Sequence, residues 1–76
     1  MNNARRKMLK QAVDPIVEAR EIIEVAKEEE EEAFENLPEG VKCCERGLEM
    51  EGYIYSMEDL IGSLEDAETT LEDMAG

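Results

Sequence analysis

MEGYIYSMEDLIGSLEDAETTLEDMAG, residues 50 to 76, decides the fold. Cut into sevens it is nearly a repeat: MEGYIYS, MEDLIGS, LEDAETT, LEDMAG. The first place of each seven holds Met50, Met57, Leu64 and Leu71, and the fourth holds Tyr53, Leu60, Ala67 and Met74. Apolar residues alternately three and four apart share one face of an α-helix, and a strict period of seven belongs to helices packed in pairs. With the places named a to g, these are a and d. Ile54 and Ile61 add an apolar e place, which widens the stripe to that of a helix in a bundle. The spacing predicts a helix over residues 45–74.

The residues before it obey the same rule. Leu9, Ile16, Ile23, Glu30 and Leu37 recur every seven as a, and Ala12, Ala19, Ala26 and Ala33 follow as d. Large residues thus alternate with alanine, and alanine layers let a neighbouring helix approach closely. A first helix is expected over residues 3–36. Pro15 falls inside it. A proline there removes a hydrogen bond and crowds the preceding turn, so the helix either kinks near Gln11 to Pro15 or restarts with Asp14 as its cap. The unbroken phase of the seam favours the kink.

Between the helices, NLPEGVKCCERG carries Pro38, Gly40 and Gly47 and reads as a turn over residues 37–46. The expected fold is therefore all-α: one domain of residues 1–76, an antiparallel, coiled-coil-like helical hairpin. Residues whose numbers add to about 84 should face each other, such as Ile23 and Ile61. A single hairpin cannot cover two wide apolar stripes, so two copies are expected to form a four-helix bundle. Its core would be built from Leu9, Ile16, Ile23, Met50, Met57, Leu60, Ile61, Leu64 and Leu71.

Charge is distributed unevenly. The chain carries 21 acidic and 8 basic residues, a net charge of −13. Arg5, Arg6, Lys7 and Lys10 lie at the start, and no base follows Arg46. An antiparallel hairpin would bring the first bases near Glu72 and Asp73, and the Glu28 to Glu32 run near Lys42 and Arg46. Glu30, alone in that run at an a place, should face the seam and mark where the hairpin opens.

The pair Glu-Asp returns every seven residues as Glu58-Asp59, Glu65-Asp66 and Glu72-Asp73, at b and c. Its rungs lie ~10.5 Å apart along a helix. Such a ladder is either the solvated side of a helix or a surface shaped for a basic partner, one that could imitate a phosphate backbone. Bundle surfaces ordinarily mix signs to form pairs four residues apart, and this one does not. Glu28, Glu31 and Glu32 are secondary candidates for the same surface, as is Tyr55, which at f points to solvent. Tyr53, at d, is expected in the core.

Several functions lose support on composition. Binding to nucleic acid or to an anionic membrane needs clustered Lys and Arg, and no apolar run is long enough to span a bilayer. Without histidine or a nucleophile–base pair, no catalytic constellation is visible. No cofactor motif is present. Cys43 and Cys44 are neighbours, closing almost no loop as a disulfide and offering poor geometry for one metal. Two unbridged thiols fit a reducing compartment, hence a cytoplasmic setting.

The stretch EEEEEAFENLPEGVKCCERGLEME, residues 28 to 51, resembles a group of small acidic proteins from phages and mobile elements of Firmicutes, mostly uncharacterised. The match rests on Ala33, Phe34, Glu35, Asn36, Leu37, Pro38 and Glu39, then Glu45, Arg46 and Gly47, then the Leu-Glu-Asp sevens. Pro15, the cysteine pair, Tyr53 and Tyr55 depart from the pattern. The resemblance implies a phage-like origin and action by binding a host protein. The expectation is thus a non-enzymatic acidic protein that occupies a basic surface of a host protein, as an anti-defence inhibitor mimicking nucleic acid. The alternatives are a structural or assembly protein acting through helical oligomerisation, and an inhibitor that binds through its turn.

Overall fold

The computed structural model describes residues 1–76 and contains three helices: α1 (Asn3–Glu35), α2 (Glu39–Lys42) and α3 (Glu45–Ala75). Helix α1 begins on Asn2, whose side-chain Oδ1 accepts the Arg5 N–H at 2.9 Å and so satisfies one of the unpaired amides of the first turn. It runs through Pro15 as one helix, so Asp14 does not cap a new start. Helices α1 and α3 pack along their lengths in opposite directions, as Lys27 pairs with Glu58 while Arg20, earlier in the chain, reaches the later Glu68. The result is a rod 58 Å long and about 14 Å across.

The expected turn contains a helix of its own. After Asn36 and Leu37, the Pro38 carbonyl accepts the N–H groups of Val41 and Lys42 at 2.9 and 3.1 Å, which closes the single turn of α2. Proline fits there because it sits just outside the helix, where no N–H is needed. The Lys42 ammonium lies 5.7 Å from the centre of the Phe34 ring and within 3.7 Å of Glu35 and 3.6 Å of Glu39, tying α2 to the end of α1. Gly47 is not a breaker. It lies buried in the first turn of α3, where an added Cβ would stand 2.2 Å from the Lys42 carbonyl oxygen. Only glycine permits that approach between α2 and α3.

The seam differs from the expected one by a rotation of each helix. The inward face of α3 is formed by Met50, Ile54, Met57, Ile61, Leu64, Glu68, Leu71 and Ala75, at a and e rather than a and d, with Glu51 and Ala67 half-buried at its edges. On α1 the a places are matched by Val13, Arg20, Lys27 and Phe34, again at e. Both patterns have the same period, and passing from one to the other turns the helix by roughly 50°. The reason lies in what each place offers. At d, α1 has only alanines, with little surface to bury. At e it has Val13 and Phe34, plus two long cations whose stems cover the seam while their heads reach acids on α3. On α3 the e place brings in Ile54 and Ile61.

Of the d places, Ala12, Ala19 and Ala67 are half-buried at the edge of the seam and the others are left outside. Tyr53 is 54% exposed and Leu60 is 51% exposed, so Tyr53 is not a core residue and Leu60 takes no part in the seam of the hairpin. Ala26 and Ala33 are exposed too. Glu30 is half-buried as its place predicts, but the hairpin does not open there. One layer further toward the turn, Ile54, at 9% exposure the most buried large side chain, lines the same hollow as Phe34.

Candidate protein-binding surface

In an antiparallel pair, equal heptad places on the two helices fall on the same flank, so the rotation of the seam sorts the remaining places into two flanks. Side-chain positions bear this out. Glu31, Glu35, Tyr55 and Glu58, from b and f, border one open hollow, while Met8 and Met74, from g and d, border another.

The b and f flank is acidic. Glu51, Glu58, Glu65 and Glu72 run along α3, and Glu21, Glu24, Glu28, Glu31 and Glu35 run along α1. The aspartates do not share it. Asp59, Asp66 and Asp73 occupy c, which points straight away from α1, so each rung of the ladder splits between the flank and the outer edge. All six ladder residues are exposed.

The middle of the flank is partly neutralised from across the seam. Lys27 lies 3.3 Å from Glu58 and 3.4 Å from Glu31. Its pKa is raised, first by contact with Glu58 and then by Glu31, against the opposing effect of burial. Arg20 donates to Glu24 at 2.9 Å and stands 3.6 Å from Glu68. Its pKa is raised, chiefly by the bond to Glu24, with added attraction from Glu68 and Glu65. The Arg20–Glu68 contact is ionic only, since Nε has no hydrogen-bond partner. Glu58 is therefore a paired acid, whereas Asp59, Asp66, Glu72 and Asp73 have no ion pair. The bases at the start of the chain behave otherwise than expected. Arg5, Arg6, Lys7 and Lys10 form no ion pair with Glu72 or Asp73, and Lys42 pairs with Glu35 and Glu39 rather than with the Glu28 to Glu32 run, while Arg46 pairs with none.

The structure gathers the secondary candidates at the turn end of the flank. Tyr55, 62% exposed, stands beside Glu31, Glu32 and Glu58 around the open hollow floored by Phe34 and Ile54. Glu28 lies on the same flank without an ion pair. Glu72 and Asp73 sit ~21 Å from Glu58 along α3 and belong to the far end. Two further acids complete the rim, Glu35 and Glu51. Glu51 was legible as one more rung of the glutamate column, but Gly52 at the neighbouring c place hid it among the Glu-Asp pairs.

Other side chains offer less. Cys43 and Cys44 are exposed free thiols, and the Cys44 Sγ–H donates to the Gly40 carbonyl at 2.8 Å. No group of three or more Cys, Asp or Glu side chains is placed to hold a metal ion. No helix is long and apolar enough to cross a membrane. Compared with protein-family models, curated proteins and solved structures, the chain matches none.

Proposed function

We propose that the protein is a non-enzymatic binding protein whose acidic flank occupies a basic surface on another protein. The observation that carries this reading is the hollow at the turn end. An exposed tyrosine stands there among Glu31, Glu32, Glu35, Glu51 and Glu58, whose cationic neighbours are Lys27, paired with Glu31 and Glu58, and Lys42, paired with Glu35. An aromatic anchor inside a ring of like charge suits arginine and lysine side chains, which stack on the ring and pair with the carboxylates. The resemblance to small phage proteins points to a host protein as partner. The column of glutamates at ~10.5 Å intervals favours one whose basic surface normally holds nucleic acid, which would make the protein an anti-defence inhibitor. As the other half of the proposal, the chain acts as a homodimer, with its uncharged flank inward and its acidic flank outward.

The test is capture from host lysate in low salt, followed by reconstitution with the purified partner. Tyr55→Ala and Glu51→Lys should each lose the complex, raised salt should release it, and duplex DNA should compete for it. A complex that survives both substitutions and high salt would rule the acidic flank out as the contact.

A further inference from the structure

The flank opposite the acids is nearly free of charge. Its d and g places carry Met8, the alanine row and Ile22 on α1, and Tyr53, Leu60, Met74, two serines and a threonine on α3. Charge enters only with Arg5 at the free end and Glu29, Arg46 and Glu49 toward the turn. Met8 is 67% exposed and Ile22 62% exposed, so the apolar residues here lie open to water.

The two rows are complementary in size at three of four levels, the fourth setting alanine beside alanine. Because α1 and α3 run in opposite directions, Ala12 lies level with Met74, Ala19 with Ala67, Ala26 with Leu60 and Ala33 with Tyr53. The ion pairs Lys27–Glu58 and Arg20–Glu68 bracket this register on either side. Within one chain these residues lie side by side and do not interlock. They interlock only when a second copy is laid face to face on the first.

We propose that the uncharged flank is covered by a second copy of this chain, related by a two-fold axis parallel to the hairpin. This rests on the homodimer reading above and specifies its face and register. A rotation about that axis lays α1 of each copy antiparallel on α3 of the other. Each large d residue of α3 then meets the alanine of its own level, Leu60 over Ala26 and Tyr53 over Ala33. A two-fold axis across the hairpin would instead set alanine row on alanine row and large row on large row. One helix pair would then be close and the other wide, and the four helices could not pack evenly.

Charge and area agree with the parallel axis. Each chain carries −13, so two copies can meet only where charge is sparse, and this arrangement holds the two acidic flanks on opposite outer faces. A face 58 Å long and 14 Å wide offers about 800 Å² to each partner, the size of a standard stable interface. The hairpin by itself has only Ile54 and Ala75 as buried apolar residues, a small core for 76 residues.

The test uses full-length chains with Cys43→Ser and Cys44→Ser, so that introduced thiols are the only ones. One preparation carries Ala26→Cys and the other, mass-tagged, carries Leu60→Cys. Sedimentation first establishes their mass, and the two are then mixed, exchanged and mildly oxidised. The expected result is a dimeric mass and a mixed Ala26→Cys/Leu60→Cys disulfide in at least tenfold excess over either symmetric one. A dimeric mass with symmetric disulfides, or with none, overturns this face and register while leaving a homodimer standing. A monomeric mass overturns the homodimer reading itself. If the cysteine variants fail to fold, spin labels at Asp66 and Asp73, outside both flanks, give the same decision. The parallel axis keeps equal residues at equal levels, so both labels report comparable distances between copies. The crossed axis throws Asp73 far from its equivalent.

Discussion

The two flanks of the hairpin are made by the same two helices and the same seven-residue repeat, yet one is lined with acids, broken only by Lys7 and Lys10 at the free end, and the other carries charge only toward its ends. On the acidic flank, Lys27 and Arg20 reach across from α1, and each holds two glutamates. On the other, Leu60 and Tyr53 stand exposed beside alanines. The difference arises from a single rotation. Because a and e form the seam, b falls to one side and d to the other, and b holds glutamate in all four sevens of α3 while d holds Tyr, Leu, Ala and Met. A narrow rod with so little interior thus has two separate surfaces, one rich in carboxylates and one sparse in charge.

The most drastic way to break this comparison is to remove the seam that holds both flanks in place. Leu64→Glu puts an unpaired carboxylate at an a place between α1 and α3. It should cost on the order of 3 kcal/mol, with loss of most helical signal in circular dichroism. Gly47→Ala acts at the turn end, where the new methyl group would overlap the Lys42 carbonyl. It should cost about 1–3 kcal/mol, read as a lower melting temperature with helix content retained. A native melting temperature would mean that α2 moves aside freely and does not fix the angle between the long helices.

Smaller effects sharpen the contrast between the flanks. Replacing Arg20 and Lys27 together by Gln removes the cations that hold the acidic flank together, so the melting temperature should fall modestly. The fall should be larger in low salt than in high salt, because unpaired carboxylates then repel. The same pairs set an alkaline limit. The folded-state pKa of Lys27 is raised above its unfolded value, so its contribution is fully present below the ordinary lysine value of ~10.4 and is lost as pH rises through the folded one. Melting temperature should accordingly fall above that pH in the native chain, and fall less in Lys27→Gln. On the other flank, Tyr53 donates its hydroxyl to Glu49 at 3.1 Å, and this bond first of all raises its pKa. Ultraviolet titration of Tyr55→Phe should show Tyr53 ionising above the ordinary tyrosine value of ~10, and Glu49→Gln should bring it back toward that value.

The period and antiparallel course of the helices were legible from the sevens, because burial of apolar residues at alternate intervals of three and four dictates them. The rotation was not. Seams at a/d and a/e share one period, and the choice depends on whether Arg20 and Lys27 find acids on α3, which requires the register between helices. In the sequence Pro38 and Gly47 signal a turn because both disfavour helix interiors. In the structure Pro38 stands just before α2, and Gly47 is the residue that lets α2 touch α3. The acidic column was visible in the sequence. The cations that offset its middle come from the other helix and had no local sign beyond their own spacing of seven.

The central claim is that the flanks divide the work, with self-association on the uncharged side. Sedimentation equilibrium at micromolar concentration, comparing the native chain with Leu60→Glu and Glu72→Lys, tests it most directly. Leu60 is half-exposed in the hairpin, and Glu72 lies on the acidic flank without an ion pair. The native chain and Glu72→Lys should sediment at twice the chain mass of 8.6 kDa, and Leu60→Glu at the mass of one chain. A native monomer, or a Leu60→Glu protein that remains dimeric, would contradict it.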